Sequence, residues 1–373
     1  MTTISAAVFH GAGQPIDVRS VELAPPGPHE VEVAIAAAGV CHSDLHMVRG
    51  EWEHRTPVVL GHEGSGIVTA IGPGVTDVGV GDHVVLSWVP SCGECRYCKL
   101  GRVAQCKTSL EVIAAGGTLF DGTPRLSIDG VDCFHYLGVS SYAERAIVPE
   151  SGAIKVRSDA PLDVIAIVGC AVATGVGAVK STAEVPAGAT VAVIGCGGVG
   201  LSCIQGARMV GASRIVAVDL VPAKLEIAAQ LGATDVVDGR SGDVVEQLAR
   251  LVPEGLDFVF DAIGAIATTQ QAIAALGIGG AAVVVGLPPA GQSATFDPLS
   301  LAESEQRILG SNYGSCVPHR DIPDLVDRYM TGELNLDAMI SARRPLSEAG
   351  AALGDLASGS VLRQLLLPNP GLI

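Results

Sequence analysis

The sequence predicts an α/β protein of two domains, with a parallel-sheet α/β domain inserted into a β-rich domain built from both chain ends. Three observations lead there. The 373 residues suffice for two domains at roughly 100–200 residues each. From residue 190 to residue 286 strand and helix patterns alternate, which is how βαβ units and a parallel sheet read. Before residue 171 short alternating runs are broken by Gly and Pro, as antiparallel strands and turns require. The expected boundaries are residues 1–171 and 311–373 for the β-rich domain and 172–310 for the α/β domain.

In chain order, 31–36 alternates apolar and polar, 66–71 runs up to the turn Gly72-Pro73-Gly74, and 82–86 follows a Gly-Asp turn. Helical periodicity is scarce in this half. The next segment changes character. Residues 190–194 are an uncharged buried-type strand, and 198–210 is a helix. Strands follow at 214–218, 235–238, 258–262 and 281–286. Helices fall between them at 222–231, 244–251 and 268–276, and Pro222 suits the first turn of its helix. The tail carries a helix near 322–330 and a last strand near 361–367. No repeat or low-complexity linker intervenes, so the chain leaves the first domain and returns to it.

Hydrophobic residues at 48% and charged residues at 17% supply packed cores and exclude global disorder. Lys+Arg 23 against Asp+Glu 39 gives a net charge of −16, which repels phosphate backbones and anionic lipid surfaces. Nucleic acid and membrane are therefore not expected partners. Residues 1–13 have neither a basic patch nor an apolar run, so no secretory signal is expected. The uncharged stretch 164–179 falls short of the ~20 residues a membrane span needs. The longer one, 262–296, is interrupted by Thr268, Thr269, Gln270, Gln271, Pro288 and Pro289. The expectation is a cytoplasmic protein whose ten cysteines stay reduced and serve metal rather than disulfides.

Gly195-Cys196-Gly197-Gly198-Val199-Gly200 follows the strand 190–194 and opens the next helix. In that context a G-x-G-x-x-G run lets backbone approach a pyrophosphate over a helix N-terminus. Asp219 ends the following strand. A carboxylate there accepts hydrogen bonds from the adenosine ribose and repels a 2′-phosphate, so NAD is expected rather than NADP.

Cys92-x2-Cys95-x2-Cys98-x7-Cys106 crowds four thiols onto one lobe. Four thiolates make a closed tetrahedral zinc shell with a holding role, while iron–sulfur clusters use overlapping spacings. Cys41-His42-Ser43-Asp44, Gly61-His62-Glu63 and Cys170 are weak signals singly, since a buried Cys is usually a small core residue. Together they offer two thiolates and one imidazole, a set that leaves zinc a fourth, open position.

The run Gly61-His62-Glu63-x2-Gly66-x5-Gly72-x2-Val75 resembles the signature of the zinc-dependent medium-chain alcohol dehydrogenases. So do Cys41-x-Ser43-Asp44-x-His46, the four-cysteine lobe, Gly169-Cys170-x4-Gly175, and the glycine loop with Asp219. The likeness covers essentially the whole chain in the expected order. It implies a GroES-like catalytic domain, a Rossmann coenzyme domain, and hydride transfer from an alcohol to NAD. It further implies two zinc ions per chain, a catalytic one on Cys41, His62 and Cys170 and a structural one on Cys92, Cys95, Cys98 and Cys106. A proton relay would run from Ser43 through the nicotinamide ribose to His46. Asp44 would orient His62, and Glu63 would approach zinc during ligand exchange. Thr174, Val199 and Lys224 match positions that pack against nicotinamide or reach the adenosine ribose, and Arg363 matches a pyrophosphate-binding arginine. Residues 107–139 are long, as in dimeric members, which implies a homodimer.

Two features depart from the best-known members. His42 stands where many relatives carry Arg toward the pyrophosphate, and neutral imidazole makes the weaker contact. Trp52 and Trp88 fall at positions that line the substrate cleft in relatives, with Tyr136, Leu137 and Tyr313 beside them. Aromatics are only 3% of the chain, so two cleft tryptophans point to a bulky or aromatic primary alcohol, oxidised reversibly to the aldehyde. The glutathione-dependent formaldehyde dehydrogenases carry an acidic residue where this chain has Trp52, which counts against a glutathione adduct. Two other readings stand beside this one. One is a formaldehyde dehydrogenase acting on the adduct of another thiol. The other is a dismutase-like alcohol dehydrogenase with tightly bound NAD, because Asn312-Tyr313-Gly314-Ser315-Cys316-x-Pro318 resembles actinobacterial-type members.

Overall fold

The computed structural model describes residues 1–359 and 361–373. The chain divides into two units, Met1–Cys170 with Val317–Ile373, and Ala171–Cys316.

The first unit holds two β structures. Strands Thr2–Phe9, Asp17–Leu23, Leu126–Ile128, Val131–His135 and Val58–Val59 close into a small barrel. A seven-stranded sheet runs in the order Ala153–Lys155, His83–Leu86, Glu63–Ile71, Glu30–Val40, Arg363–Leu367, Ile340–Pro345, and Arg145–Pro149 also pairs with Glu30–Val40. The strand Glu30–Val40 is almost wholly buried. The small run Ala36-Ala37-Ala38-Gly39 lets its far end be covered on both faces, so it extends beyond the alternating stretch that the sequence signalled.

Register at this strand places the chemistry. Gly39 lies opposite Glu63, and Val40 lies opposite Gln364. Cys41 therefore leaves the sheet beside the point where His62 enters it, close to Arg363 on the last strand. A Cβ on Gly39 would stand 1.9 Å from a Glu63 carboxylate oxygen, so the close approach requires glycine. Cys41 is followed at once by the helix His42–Val48, too short to show periodicity in the sequence. The third arm is the single turn Ala166–Gly169 before Cys170. A Cβ on Gly169 would come within 2.4 Å of the Leu86 carbonyl oxygen, and that tight approach carries Cys170 to the same end of the sheet. The helix Pro318–Met330 starts earlier than its apolar pattern because Pro318 suits a first turn. The parallel pair Ile340–Pro345 and Arg363–Leu367 completes the returning segment.

The second unit is a six-stranded parallel sheet in the order Asp235–Asp238, Arg214–Asp219, Thr190–Ile194, Leu256–Asp261, Leu276–Val284, Arg307–Gly310. This is the 3-2-1-4-5-6 order of a doubly wound dinucleotide fold, with its reversal beside Thr190–Ile194. Helices Gly198–Met209, Pro222–Leu231, Val244–Leu251 and Ile266–Ala274 fall between the strands. Residues 311–316, expected in the returning segment, pack within this unit. Thr182 Oγ1 lies 2.9 Å from both the Ser311 and the Ser315 hydroxyls. A Cβ on Gly177 would come within 2.4 Å of the Gly314 carbonyl oxygen. Among the described residues no single helix is long and apolar enough to cross a membrane.

Candidate functional site

The Cys41 and Cys170 sulfurs, a His62 ring nitrogen and a Glu63 carboxylate oxygen lie within 4.8 Å of one another, all on buried residues. Asp44, fully buried, ties the segments together. Its Oδ2 accepts from the Cys41 N–H and the Tyr142 hydroxyl, each at 3.2 Å, and its Oδ1 accepts from the Gly61 N–H at 3.0 Å and faces His62 Nδ1 at 3.3 Å. That last contact assigns the ring proton to Nδ1 and directs the Nε2 lone pair inward. Nε2 is buried with no hydrogen-bond partner, an arrangement that costs stability unless a metal takes the lone pair.

The two sulfurs tell the same story. The hydrogen bond from Cys170 is the largest influence holding Cys41 well below the usual thiol range, and the same bond with burial pushes Cys170 well above it. A shared proton between paired sulfurs is what a divalent cation displaces when both ionise as ligands. Burial opposes charge on His62, but the Asp44 carboxylate and the Cys41 sulfur outweigh it and raise its pKa well above the usual value. The residues therefore fit zinc with three ligands, Cys41, His62 and Cys170. Glu63 brings a carboxylate oxygen into the same cluster, and Arg363 Nη2 stands 3.4 Å from its Oε1.

Arg363, to which the resemblance gives the pyrophosphate, is 5% exposed, and its Nη1 donates to the Val40 carbonyl at 2.8 Å. A buried carboxylate requires a counter-charge, and Arg363 supplies it to Glu63 behind the sulfurs.

Ser43 Oγ lies 4.0 Å from Cys41 Sγ. His46 follows one turn later on the same helix, and residues three apart share a face. Its Nδ1 hydrogen-bonds the Glu51 carboxylate, and its ring stacks on Trp52 with centroids 4.4 Å apart at 22°. His42, at the start of the helix, is exposed.

The expected pocket residues fall in distinct places. Trp88 and Tyr136 present edge-to-face contacts to His62, at 6.5 Å and 5.7 Å. The Tyr136 hydroxyl also donates to the Ser43 carbonyl at 3.0 Å, so it braces the helix as well as walling the metal site. Leu137 is half-buried at φ 52°. Trp52 turns one face to His46, and Tyr313 is 1% exposed within the second unit. Tyr142 and Glu51 had no role in the sequence reading. Tyr142 lies far from Asp44 along the chain, so spacing could not reveal it.

The four lobe sulfurs of Cys92, Cys95, Cys98 and Cys106 also lie within 4.8 Å of one another. Backbone N–H groups of Cys92 and Cys95 point at the Cys106 and Cys92 sulfurs at 3.4 and 3.3 Å, and Thr108 Oγ1 lies 3.3 Å from Cys92 Sγ. The Cys98 N–H leads the influences that hold Cys95 down to about 6. Burial, then the Cys95 and Cys106 sulfurs, push Cys98 well up. Four sulfurs packed this closely cannot all ionise without a cation, and the set fits a closed zinc shell.

In the second unit the glycine loop has the required shape. Gly195 has φ +99°, and a Cβ on Gly200 would stand 1.7 Å from the Gly195 carbonyl oxygen, whereas a Cβ on Gly197 would meet nothing within 4 Å. Above Gly197, at the N-terminus of Gly198–Met209, is room for a phosphate. Asp219 accepts from the Cys196 N–H at 2.7 Å and the Val221 N–H at 2.9 Å. Val199 and Lys224 are half-buried. Thr174 Oγ1 is buried without a hydrogen-bond partner, as a donor awaiting a bound polar group would be.

Residues 27–158 match the alcohol dehydrogenase GroES-like domain family, and residues 198–331 match the zinc-binding dehydrogenase family. This chain belongs to the zinc-dependent medium-chain alcohol dehydrogenases. Among the family's members, alcohol dehydrogenase class-3 of Drosophila melanogaster is 37% identical over 98% of this chain and 97% of its own length. An S-(hydroxymethyl)glutathione dehydrogenase of Synechocystis is 35% identical over 97% of this chain and 98% of its own length. The crystal structure of benzyl alcohol dehydrogenase from Acinetobacter calcoaceticus is similar at a TM-score of 0.93, with 35% identity, covering 98% of this chain and 99% of that one. Like other zinc alcohol dehydrogenases this protein is an oxidoreductase. It binds zinc at two sites and a nicotinamide dinucleotide.

Proposed function

We propose that this enzyme oxidises bulky or aromatic primary alcohols to aldehydes, reversibly, with NAD as acceptor. The observation that carries the reading is the aromatic wall at the catalytic ligand, with Trp88 and Tyr136 both edge-on to His62. The similarity to a benzyl alcohol dehydrogenase supports it.

Bound here, zinc supplies the Lewis acidity that lowers the pKa of an alcohol hydroxyl, and NAD supplies the hydride acceptor. The chain does the rest. Cys41, His62 and Cys170 leave a fourth position for substrate, and Asp44 keeps His62 in the ligating tautomer. The Ser43 hydroxyl takes the proton, and His46, one turn further along the helix, passes it outward. Glu63 with Arg363 balances charge behind the ligands. The glycine loop and Thr174 bind the coenzyme, with His42 a weak pyrophosphate contact and Lys224 close to the adenosine ribose. The length of residues 107–139 supports a homodimer. Ten cysteines, six of them placed to hold zinc, suit the reducing cytoplasm.

Burying a phenyl group against Trp88 and Tyr136 contributes on the order of 1–3 kcal/mol. Benzyl alcohol should then exceed ethanol roughly ten- to a hundredfold in kcat/KM. Trp88→Ala should lower benzyl alcohol efficiency more than ethanol efficiency. Ethanol as the better parent substrate would reject the pocket reading.

Asp219 sets coenzyme choice in this reading. Asp219→Ala should narrow the NAD over NADP preference by roughly tenfold, since repulsion of the 2′-phosphate disappears. The carboxylate also holds two loop N–H groups, so both coenzymes should bind less well and the ratio of kcat/KM is the informative quantity. An unchanged ratio would dismiss the assignment.

A second reading is a thiol-adduct formaldehyde dehydrogenase, favoured by the S-(hydroxymethyl)glutathione dehydrogenase relative. Trp52, in place of an acidic residue, argues against glutathione as that thiol.

A further inference from the structure

We propose that Glu51 is the positioning residue of the outward proton path, fixing His46 in one tautomer and supplying its counter-charge when the imidazole takes the proton. This rests on the relay reading above, in which His46 is the outer base.

The backbone folds Glu51 back onto His46. The Gly50 N–H donates to the Met47 carbonyl at 3.0 Å and the Glu51 N–H to the His46 carbonyl at 2.9 Å. Gly50 at φ +68° makes the left-handed turn that glycine favours. The Glu51 carboxylate then meets His46 Nδ1, while Trp52, the next residue, covers the ring face. The imidazole is clamped along one edge and one face, and Nε2 is left as its working nitrogen. With the side chains of His46 and Glu51 17% and 26% exposed, the pair is sheltered yet in touch with water.

The step balances without a further reactant. An O–H bond of the inner donor breaks, an Nε2–H bond forms, and the imidazolium faces the Glu51 carboxylate until Nε2–H releases the proton to water. No electrons change hands. Glu51 is the anion that faces this ring. Arg49 Nη1 lies 4.0 Å from the other Glu51 oxygen, and His42 sits one turn earlier on the same helix. The helix Ala349–Ala357, which packs on His42–Val48, carries a single charged residue, Asp355, and that carboxylate is paired with Arg344.

The test is the pH profile of kcat/KM for benzyl alcohol and NAD in the zinc-loaded parent, Glu51→Gln, Glu53→Gln and His46→Gln enzymes, with NADH Kd and zinc content measured alongside. In Glu51→Gln the plateau should fall roughly tenfold and the profile should depart from the parent's, because the imidazolium that forms during transfer has lost its counter-charge. NADH Kd and zinc content should hold. Glu53 is an exposed carboxylate two residues on, and Glu53→Gln should reproduce the parent profile. An impaired His46→Gln beside a parental Glu51→Gln would overturn the role of Glu51 and leave the relay standing. A parental His46→Gln would overturn the relay and this proposal with it. Equal losses in Glu51→Gln and Glu53→Gln would mean general surface charge and would also overturn it.

Discussion

Cys170→Ser should remove turnover while leaving the fold in place. Losing one thiolate from a three-residue ligand set removes Lewis acidity worth several kcal/mol at the transition state. That corresponds to at least roughly a thousandfold in kcat. Cys170 is buried at the end of the first unit, and serine is a small replacement there. The melting temperature should stay close to that of the parent, and metal analysis should find one zinc per chain rather than two. Turnover within tenfold of the parent would show that Cys170 is not a ligand.

Cys95→Ser should do the reverse. Between residues 92 and 106 only Ala104 and Cys106 are buried, so the lobe has almost no apolar core and depends on its metal. Structural zinc supplies folding energy directly. Several kcal/mol of lost stabilisation corresponds to a melting temperature lower by on the order of 10 °C. Turnover should survive at low temperature, because the catalytic ligands are untouched. Thermal melts and zinc stoichiometry of the two variants, measured together, separate the roles. Equal loss of folding in both would contradict a holding lobe and a working site.

Much of this was legible in the sequence because the chemistry lies in compact motifs. The glycine loop with Asp219 marked the coenzyme unit, since strand, turn and helix there follow one another without interruption. The four lobe cysteines sit within fifteen consecutive positions, 92–106, so spacing alone announced them. The catalytic ligands were harder. Cys41, His62 and Cys170 come together only because Gly39 pairs opposite Glu63 and Gly169 presses on Leu86, and neither fact can be read from spacing. Tyr142, which reaches Asp44 at 3.2 Å across ninety-eight positions of chain, left no local signal. The resemblance reads Arg363 as a coenzyme contact, and it carries a residue's role without its neighbours. The neighbour the fold supplies, Glu63, is buried beside it. The helix His42–Val48 escaped notice because seven residues hold too little periodicity, and the edge strand Arg307–Gly310 because it is largely exposed and lacks a buried-strand pattern. Trp52 was read as pocket wall from its position, and spacing gave no sign that it stacks on His46.

We propose an enzyme for bulky alcohols in a family that also includes dehydrogenases of glutathione adducts, and two substrates compared side by side separate the two activities. Steady-state kcat/KM should be measured on the zinc-loaded enzyme with NAD, for benzyl alcohol and for formaldehyde premixed with glutathione. The aromatic wall of Trp88 and Tyr136 at His62, and Trp52 in place of an acidic residue, predict efficient oxidation of benzyl alcohol and at most weak turnover of the adduct. An adduct turned over more efficiently than benzyl alcohol would contradict the account.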